Sequence, residues 1–452
     1  MSITFKENEV KEVKFEKKTS EEIGLKLGKI KIKNAKFGEK SEILNRTLII
    51  NLEELRSLLL EDKNLKDVDV KIARPGESKR IIPIKDVIEP RVKVSGSGKI
   101  FPGFFEKSET VGIGNGITHV LEGVAVVTSG RIVNFQEGLI YMNGPGACYS
   151  PFSKTNNVVI VCTPVNGMDK HTHERTVRLA GLKAANYLGQ LGKDIEPDEN
   201  EFYEYLPFPK NNSSYSLIPR VVFVHMLLSQ GLLHDTYVYG IDAKGILPTI
   251  ISPTELMDGA IVSGNCAAPC HKHTTYHQLN NPIVEELYKR HKKDLYFVGV
   301  VLINERTDWS SIELASSYAV NLVKLMDAQG AIITEDGGGN PETILMALCK
   351  KLEKEGIKTV LVTDEYAGRD GASQGLADVT VEADAVVTNG NANQLVTLPP
   401  MDETIGELDT IDIITGGHNG SLKSDGSIEM EIAGIMGSTC ELGYSNLTTR
   451  LR

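Results

Sequence analysis

One short segment concentrates the side chains that carry out chemistry. Residues 263–277 hold two of the six cysteines and three of the ten histidines, namely Cys266, Cys270, His271, His273 and His277. Small residues surround the first cysteine, so the backbone there can turn tightly and be approached closely. A thiol beside several imidazoles supplies either a nucleophile with a base or a set of metal ligands.

Three interpretations of this segment are open. It is a buried loop, because free cysteines often pack as small apolar side chains. It is a metal site, because Cys-x3-Cys followed by His-x-His places suitable ligands together, although a second, separated ligand pair is missing from the sequence. Or it processes itself: the thiol of Cys266 attacks the carbonyl of Asn265, and elimination and hydrolysis leave a pyruvoyl group. Spacing alone does not separate the metal site from self-processing.

Self-processing needs a base that turns the thiol into the reactive thiolate. The three histidines that follow Cys266 are the candidates for this role, and the sequence does not choose among His271, His273 and His277.

Beyond residue 281 the chain alternates between buried strands and amphipathic helices. Strands are predicted at residues 295–303, 330–334, 358–363 and 384–388. Asn281, Ser310 with Glu313, and Asn340 are predicted to cap the helices. This order predicts a doubly wound, mostly parallel sheet.

Ligands bind at the carboxyl ends of the strands in such a sheet. Polar and glycine-rich runs follow the predicted strands at residues 304–306, 337–340, 364–370 and 389–393. The candidate substrate-binding residues there are Glu365, Tyr366, Arg369 and Asn391. Arg369 is expected to pair with a substrate carboxylate through both arms of its guanidinium group.

A second polar group lies upstream. A β-branched run at residues 157–162 predicts a buried strand, and His171 and His173 follow it at the start of a helix capped by Asp169 or Thr172. We expect both histidines to contribute to the ligand site. The predicted segments are a strand-rich region at 1–94, a second α/β region at 95–265 and the doubly wound domain at 266–452.

Composition excludes several functional classes. The chain has 452 residues and a net charge of −11, with an isoelectric point near 5.5, which argues against nucleic acid or an anionic membrane as partner. We expect no signal peptide and no membrane span, because no apolar run is long enough. Six cysteines without a disulfide spacing pattern indicate reduced thiols and a cytoplasmic protein.

Several motifs together resemble one known family. The runs DGAIVSGNC at 258–266, TTYH at 274–277 and NNP at 280–282 closely resemble the pyruvoyl proprotein of glycine/sarcosine/betaine reductase component B. Residues 171–188, 363–371, 390–393 and 398–402 fit the same family. The resemblance covers nearly the whole chain, and the proprotein of D-proline reductase looks like a more distant relative with the same cleavage logic.

The resemblance implies a cut before Cys266, with residue 266 becoming the pyruvoyl cap of the C-terminal piece. Its carbonyl would condense with a substrate amine and act as an electron sink. The implied partners are a selenocysteine-containing subunit of component B, the selenoprotein component A and the acetyl-phosphate-forming component C. The chain would thus be part of a hetero-oligomer that binds a small amine or amino acid. We expect no bound metal, because the cysteine and histidine ligands lack a second spaced pair.

Three alternatives stay open from the sequence. The chain is a pyruvoyl subunit of the D-proline reductase kind, an uncleaved metal enzyme that uses Cys266, Cys270, His271 and His273, or an uncleaved scaffold subunit. The motifs do not choose among glycine, sarcosine and betaine as substrate.

Overall fold

A computed structural model of the chain describes residues 24–105, 112–133, 137–206, 217–231, 233–264 and 273–443. Within these ranges the chain is of mixed α/β type, with several sheets. The predicted α/β class is thereby confirmed. Asn265, Cys266 and His271 lie outside the described residues.

The strands, in chain order, are β1 (Gly24–Lys31), β2 (Asn34–Phe37), β3 (Glu42–Leu44), β4 (Thr47–Ile50), β5 (Leu65–Ala73), β6 (Lys79–Ile88), β7 (Arg91–Ser95), β8 (Gly116–Glu122), β9 (Val124–Gly130), β10 (Gly138–Tyr141), β11 (Asn156–Pro164), β12 (Glu199–Glu204), β13 (Arg220–Leu227), β14 (Thr236–Val238), β15 (Ile241–Asp242), β16 (Thr249–Ile251), β17 (Ile261–Ser263), β18 (Tyr296–Asn304), β19 (Gly330–Thr334), β20 (Lys358–Glu365), β21 (Val386–Asn391), β22 (Leu395–Leu398), β23 (Glu403–Gly406) and β24 (Ile428–Glu431). The helices are α1 (Leu52–Leu59), α2 (Gly144–Ala147), α3 (Lys170–Gln190), α4 (Pro253–Met257), α5 (Thr275–Leu279), α6 (Pro282–Arg290), α7 (Trp309–Leu325) and α8 (Asn340–Lys354). None of the helices in the described ranges is both long and apolar enough to cross a bilayer.

One sheet, called here the parallel sheet, positions the candidate site. Its strand order is β16-β18-β13-β19-β20-β21. Neighbouring strands from β18 to β21 run parallel, and only β16 pairs antiparallel. The four strands predicted beyond residue 281 are β18 to β21, so their existence is confirmed, with ends shifted by a few residues. The doubly wound connectivity stays a prediction.

Apolar residues on both faces of β13 explain why this strand lies at the centre of the parallel sheet. Val222 and Val224 pack into a core that contains the buried faces of α7 and α8. Phe223 and Leu227 pack into a second core that contains Val284 of α6. Helices thus contribute to the cores on either side of the strand.

The sheets combine strands from all three predicted segments. In the first, β1 and β7 pair with β8, which lies beyond residue 95. In the parallel sheet, β13, which precedes residue 265 in the sequence, pairs with β18 and β19, which follow it. The boundaries at 94/95 and 265/266 stay predictions, and paired strands cross both of them.

Of the helix caps predicted beyond residue 281, one is confirmed and two are wrong. Asn281 caps α6 as predicted, since its side-chain oxygen accepts hydrogen bonds from the backbone N–H groups of Ile283 (3.1 Å) and Val284 (3.2 Å). The Ser310 cap is wrong: Asp308 caps α7 and accepts from the N–H of Ser311 at 2.9 Å. The Asn340 cap is wrong as well, because Asn340 is already helical.

Candidate active site at the carboxyl edge of the parallel sheet

Buried acids follow the central strands of the parallel sheet. Glu305 follows β18, and Glu335 and Asp336 follow β19. All three are at most 2% exposed, although carboxylates are rarely buried without partners. This is the edge at which α/β sheets bind ligands, so the acids mark the candidate site.

His273 lies between two of the carboxylates of this edge. Its Nε2 is 2.9 Å from Oε2 of Glu441, and its Nδ1 is 3.3 Å from Oδ2 of Asp336. The backbone N–H of His273 also donates to Oδ2 of Asp336 at 3.2 Å. His273 was predicted as a catalytic residue, and the structure places it within the acid cluster.

The backbone holds the acids close to one another. The N–H of Asp336 donates to Oε1 of Glu305 at 3.2 Å, and the N–H of Gly337 donates to Oε1 of Glu441 at 3.4 Å. Burial raises the pKa of Asp336 to about 7, against the opposing effect of His273. Burial and then the charge of Asp336 raise the pKa of Glu305 well above its ordinary value. The cluster therefore retains protons near neutral pH.

His225 extends the cluster on β13 and was not predicted. Its Nε2 is 2.8 Å from the side-chain oxygen of Gln278, and its ring stacks on that of His273 with centroids 6.0 Å apart. Burial, and then the charge of His273, lowers the pKa of His225 to about 3. His225 is therefore a neutral imidazole that donates a hydrogen bond to Gln278.

His277 has a structural contact that the sequence did not indicate. Its Nδ1 accepts hydrogen bonds from the backbone N–H (3.1 Å) and the hydroxyl (2.9 Å) of Thr274. These contacts close a capping box at the start of α5. Burial lowers its pKa to about 3, so the neutral ring helps to fix the helix next to His273.

The two sides of the segment 265–272 meet at this edge. The backbone N–H of Ser263 in β17 donates to Oγ1 of Thr275 in α5 at 3.0 Å. Both the N–H and the hydroxyl of Thr275 donate to the buried carboxylate of Asp86, at 2.9 and 2.6 Å. The residues that flank the segment 265–272 are thus close together in space.

Gly264 sits where no larger residue fits. Its N–H donates to the carbonyl of Asp235 at 2.6 Å. A Cβ on Gly264 would lie 2.1 Å from the carbonyl oxygen of His234, which is a backbone atom and cannot swing away. The backbone of Gly264 is therefore in close contact with that of residues 234 and 235.

A chain of two histidines and a carboxylate adjoins this contact. Nδ1 of His171 is 3.0 Å from Nε2 of His234, and Nδ1 of His234 is 2.6 Å from Oδ2 of Asp242. His171 was predicted from the sequence, whereas His234 was missed. Its segment has no regular pattern that would have singled it out.

His173 belongs to the first turn of α3, which Asp169 caps as predicted. It is half-buried. Burial lowers its pKa to about 4, and the positive charges of Lys85 and Arg131 lower it further. His173 is therefore neutral at physiological pH.

The predicted substrate-binding residues Glu365 and Asn391 end β20 and β21, and Tyr366 follows β20 directly. Asn391 accepts from the N–H of Ala367 (3.1 Å) and donates to the carbonyl of Gly368 (2.8 Å), so it holds that loop in place. The ring of Tyr366 lies against Gly338, where a Cβ would come within 2.0 Å of it. Glu365 accepts from the N–H of Ala392 through its carbonyl, at 2.7 Å.

Arg369 is exposed and has a protein partner. Its Nε donates to Oε1 of Glu431 at 2.7 Å, with 45% of the side chain accessible. The carboxylate of Glu431 also accepts from the side-chain amide of Asn393 at 3.0 Å. A substrate carboxylate at Arg369 would therefore compete with, or add to, this ion pair.

Comparison with known proteins gives consistent matches over nearly the whole chain. The family model for glycine/sarcosine/betaine reductase component B subunits matches residues 23–450. The glycine reductase complex component B subunits alpha and beta of Acetoanaerobium sticklandii are 53% identical over 428 residues, which cover 94% of this chain and 99% of the relative. No solved structure matches the chain.

Two further relatives carry other substrates in their names. The sarcosine reductase complex component B subunit alpha of Peptoclostridium acidaminophilum is 52% identical over 94% of this chain and 99% of the relative. The D-proline reductase proprotein PrdA of Acetoanaerobium sticklandii is 24% identical over 69% of this chain and 50% of the relative. The chain belongs to the family of glycine/sarcosine/betaine reductase component B subunits, a family of oxidoreductase components.

Proposed function

We propose that the chain is a proprotein cut between Asn265 and Cys266, and that residue 266 becomes a pyruvoyl group at the start of the C-terminal piece. The observation that carries this proposal is the hydrogen bond from Ser263 to Thr275. It brings both sides of the segment 265–272 to a buried edge that holds His273 and several acids. The relatives support it, because one is named a proprotein and another names two subunits, alpha and beta, for one sequence.

Cleavage of this kind requires no reagent except water. The sulfur of Cys266 bonds to the carbonyl carbon of Asn265, and the amide C–N bond breaks to give a thioester. Loss of the α-proton of residue 266 then expels a thiocarboxylate and leaves dehydroalanine. Tautomerisation and hydrolysis release ammonia and leave the pyruvoyl group, while hydrolysis of the thiocarboxylate releases hydrogen sulfide.

The surrounding residues have defined parts in this proposal. Gly264 allows the close contact with the backbone of residues 234 and 235 that fixes the chain at residue 264. His234, held by Asp242, and His273, held by Glu441, are the described histidines whose contacts suit a proton acceptor. His271 stays a candidate as well.

In the mature protein the pyruvoyl group supplies an electrophilic carbonyl to which a substrate amine can bind. Burial raises the pKa of Glu305 well above its ordinary value, so Glu305 would keep a proton and pass it to the departing amine. Arg369 would bind the substrate carboxylate, while Glu365, Tyr366 and Asn391 shape its loop. His171 and His173 would line the opposite side.

The partners proposed for this chain follow from the family. They are a selenocysteine-containing subunit of component B, which would break the C–N bond, together with selenoprotein component A and the acetyl-phosphate-forming component C. The assembly would be a cytoplasmic hetero-oligomer. Glycine or sarcosine is the favoured substrate, because the relatives with these names are 52 to 53% identical, against 37% for the betaine relative.

Mass spectrometry of the purified protein tests the cleavage. We expect an N-terminal piece of 265 residues and a C-terminal piece of 452 − 265 = 187 residues. The smaller piece should resist Edman sequencing and should react with phenylhydrazine, because a pyruvoyl group has a carbonyl and no free amine. An active enzyme that consists of one intact chain, with Cys266 still a titratable thiol, would reject the proposal in favour of a scaffold or metal enzyme.

Gly264→Ala is expected to slow cleavage by about 100-fold. A Cβ that close to the carbonyl of His234 must displace the backbone at residue 264, which directly precedes Asn265, and small misplacements of reacting groups have effects of that size. The measurement is the cleaved fraction against time after synthesis. Gly245→Ala is the matched control, since a Cβ at Gly245 meets nothing within 4 Å. A folded Gly264→Ala variant that is cut at the normal rate would contradict the role of this contact.

A further inference from the structure

We propose that His273, Asp336 and Glu441 form a binding site for one divalent metal ion of the zinc, manganese or iron(II) kind. Each offers one ligand atom, and these atoms lie within 4.8 Å of one another. All three residues are buried. This goes beyond the proposed pyruvoyl chemistry and does not depend on it.

The ligand types select the class of metal. One imidazole nitrogen with two carboxylate oxygens suits zinc, manganese or iron(II), whereas magnesium and calcium prefer oxygen ligands alone. The separation of 2.9 Å between Nε2 of His273 and Oε2 of Glu441 is short enough for one ion to lie at about 2.0–2.2 Å from both atoms. With three protein ligands, the ion would keep a position open for water or a substrate.

A second observation also points to a cation. Among the described residues, some buried carboxylate oxygens have no hydrogen-bond donor. Oδ1 of Asp336 and Oε2 of Glu305 are buried and accept no hydrogen bond from any residue that the structure describes, and the two residues are 2% and 1% exposed. Glu305 lies within electrostatic reach of Asp336 and Glu441. In the part of the chain that the structure describes, no lysine or arginine forms an ion pair with Asp336 or Glu305. Buried charge of this kind is costly unless a proton or a cation compensates it.

The ligands are held in place by contacts that leave room for coordination. Glu305 accepts from the N–H of Asp336, and the N–H of Gly337 donates to Oε1 of Glu441, so Oε2 is the oxygen of Glu441 that faces His273. Supporting hydrogen bonds of this type orient ligands in protein metal sites. The ligands also come from three distant parts of the chain, so an ion here would tie α5 to the loop after β19 and to the C-terminal region.

This site differs from the metal site considered from the sequence. That hypothesis used Cys266, Cys270, His271 and His273, and only His273 is shared. The proposal replaces the expectation that the chain binds no metal.

Calorimetric titration of chelator-treated full-length protein with zinc sulfate, manganese(II) chloride or iron(II) under anaerobic conditions tests the site. We expect about one ion per chain. His273→Gln and Asp336→Asn should each lower the affinity by more than the roughly 10- to 100-fold loss that follows removal of a supporting hydrogen bond, while Glu305→Gln should fall within that range. Glu335→Gln is the matched control, because its buried carboxylate accepts from Thr363 instead.

Two comparisons separate this proposal from cleavage. Cys266→Ala and Cys270→Ala should bind the ion as the natural chain does, whether or not they are cut. If none of the three metals binds the natural chain stoichiometrically, the site is rejected and the cleavage proposal is unaffected. Binding that survives His273→Gln and Asp336→Asn, or that is lost in the cysteine variants, would overturn the assignment of the ligands.

Discussion

Cys266→Ala is expected to leave the full chain of 452 residues uncut and without reductase activity, whereas Cys270→Ala is cut normally. The sulfur of Cys266 is separated from the carbonyl carbon of Asn265 only by its own Cβ, Cα and amide nitrogen, so its attack closes a small ring that no other side chain of the segment can form. Cys270 follows Pro269, whose ring restricts the backbone before it. Both variants remove one thiol from the same segment, so they are well matched.

A third variant, Cys266→Ser, tests whether the rate of cleavage depends on the strength of the nucleophile at residue 266. Cys266→Ser keeps a nucleophile but replaces a thiol by a hydroxyl, which is far less ionised near neutral pH. We expect Cys266→Ser to be cut slowly and Cys266→Ala not at all, as measured by intact mass over time. Equal cleavage of Cys266→Ala and the natural chain would show that residue 266 is not the nucleophile.

The sequence predicts secondary structure best beyond residue 281, where buried strands and amphipathic helices alternate regularly. The strands β18 to β21 and the Asn281 cap followed from β-branched runs and from Asn-Pro spacing, which depend only on neighbouring residues. Ser310 failed as a cap because Asp308, two residues earlier, competes for the same role and its carboxylate accepts from Ser311. Sequence rules cannot choose between two cap candidates this close together, because the cap is decided by the backbone angles at a single residue.

The site itself was only partly predictable. Asp336 follows a predicted strand, so the rule that strand ends carry ligands could have singled it out. His234 and Glu441 lie in irregular segments, and only the folded chain brings them to Gly264 and His273. The type and spacing of His277 suggested catalysis, which stays a prediction, and the sequence did not indicate that its ring caps α5.

The two cleavage products are expected to remain one folded particle under native conditions. The reason is β13, which precedes the proposed cut and lies between β18 and β19, which follow it. Eight residues of β13 pair with β18 and five with β19. Its central side chains are fully buried, and burial of each is worth about 1.5–3 kcal/mol.

Other contacts join the pieces at a distance from this sheet. Asp86 in β6 binds Thr275 in α5, and β23 pairs with β6. Because separation would expose cores on several surfaces at once, the pieces should behave as a single cooperative unit and not as independent domains.

Size-exclusion chromatography of the cleaved protein checks this expectation. The pieces of 265 and 187 residues should elute together at micromolar concentration and separate only in a denaturant such as guanidinium chloride. Val224→Asp, which places a charge in the core shared with α7 and α8, should release the pieces or prevent folding. Leu217→Asp, at a residue that is 97% exposed, is the control and should change nothing. A strand buried between two neighbours cannot leave without disrupting the sheet. If the pieces of the natural protein separate in native buffer, the pairing of β13 with β18 and β19 does not hold them together.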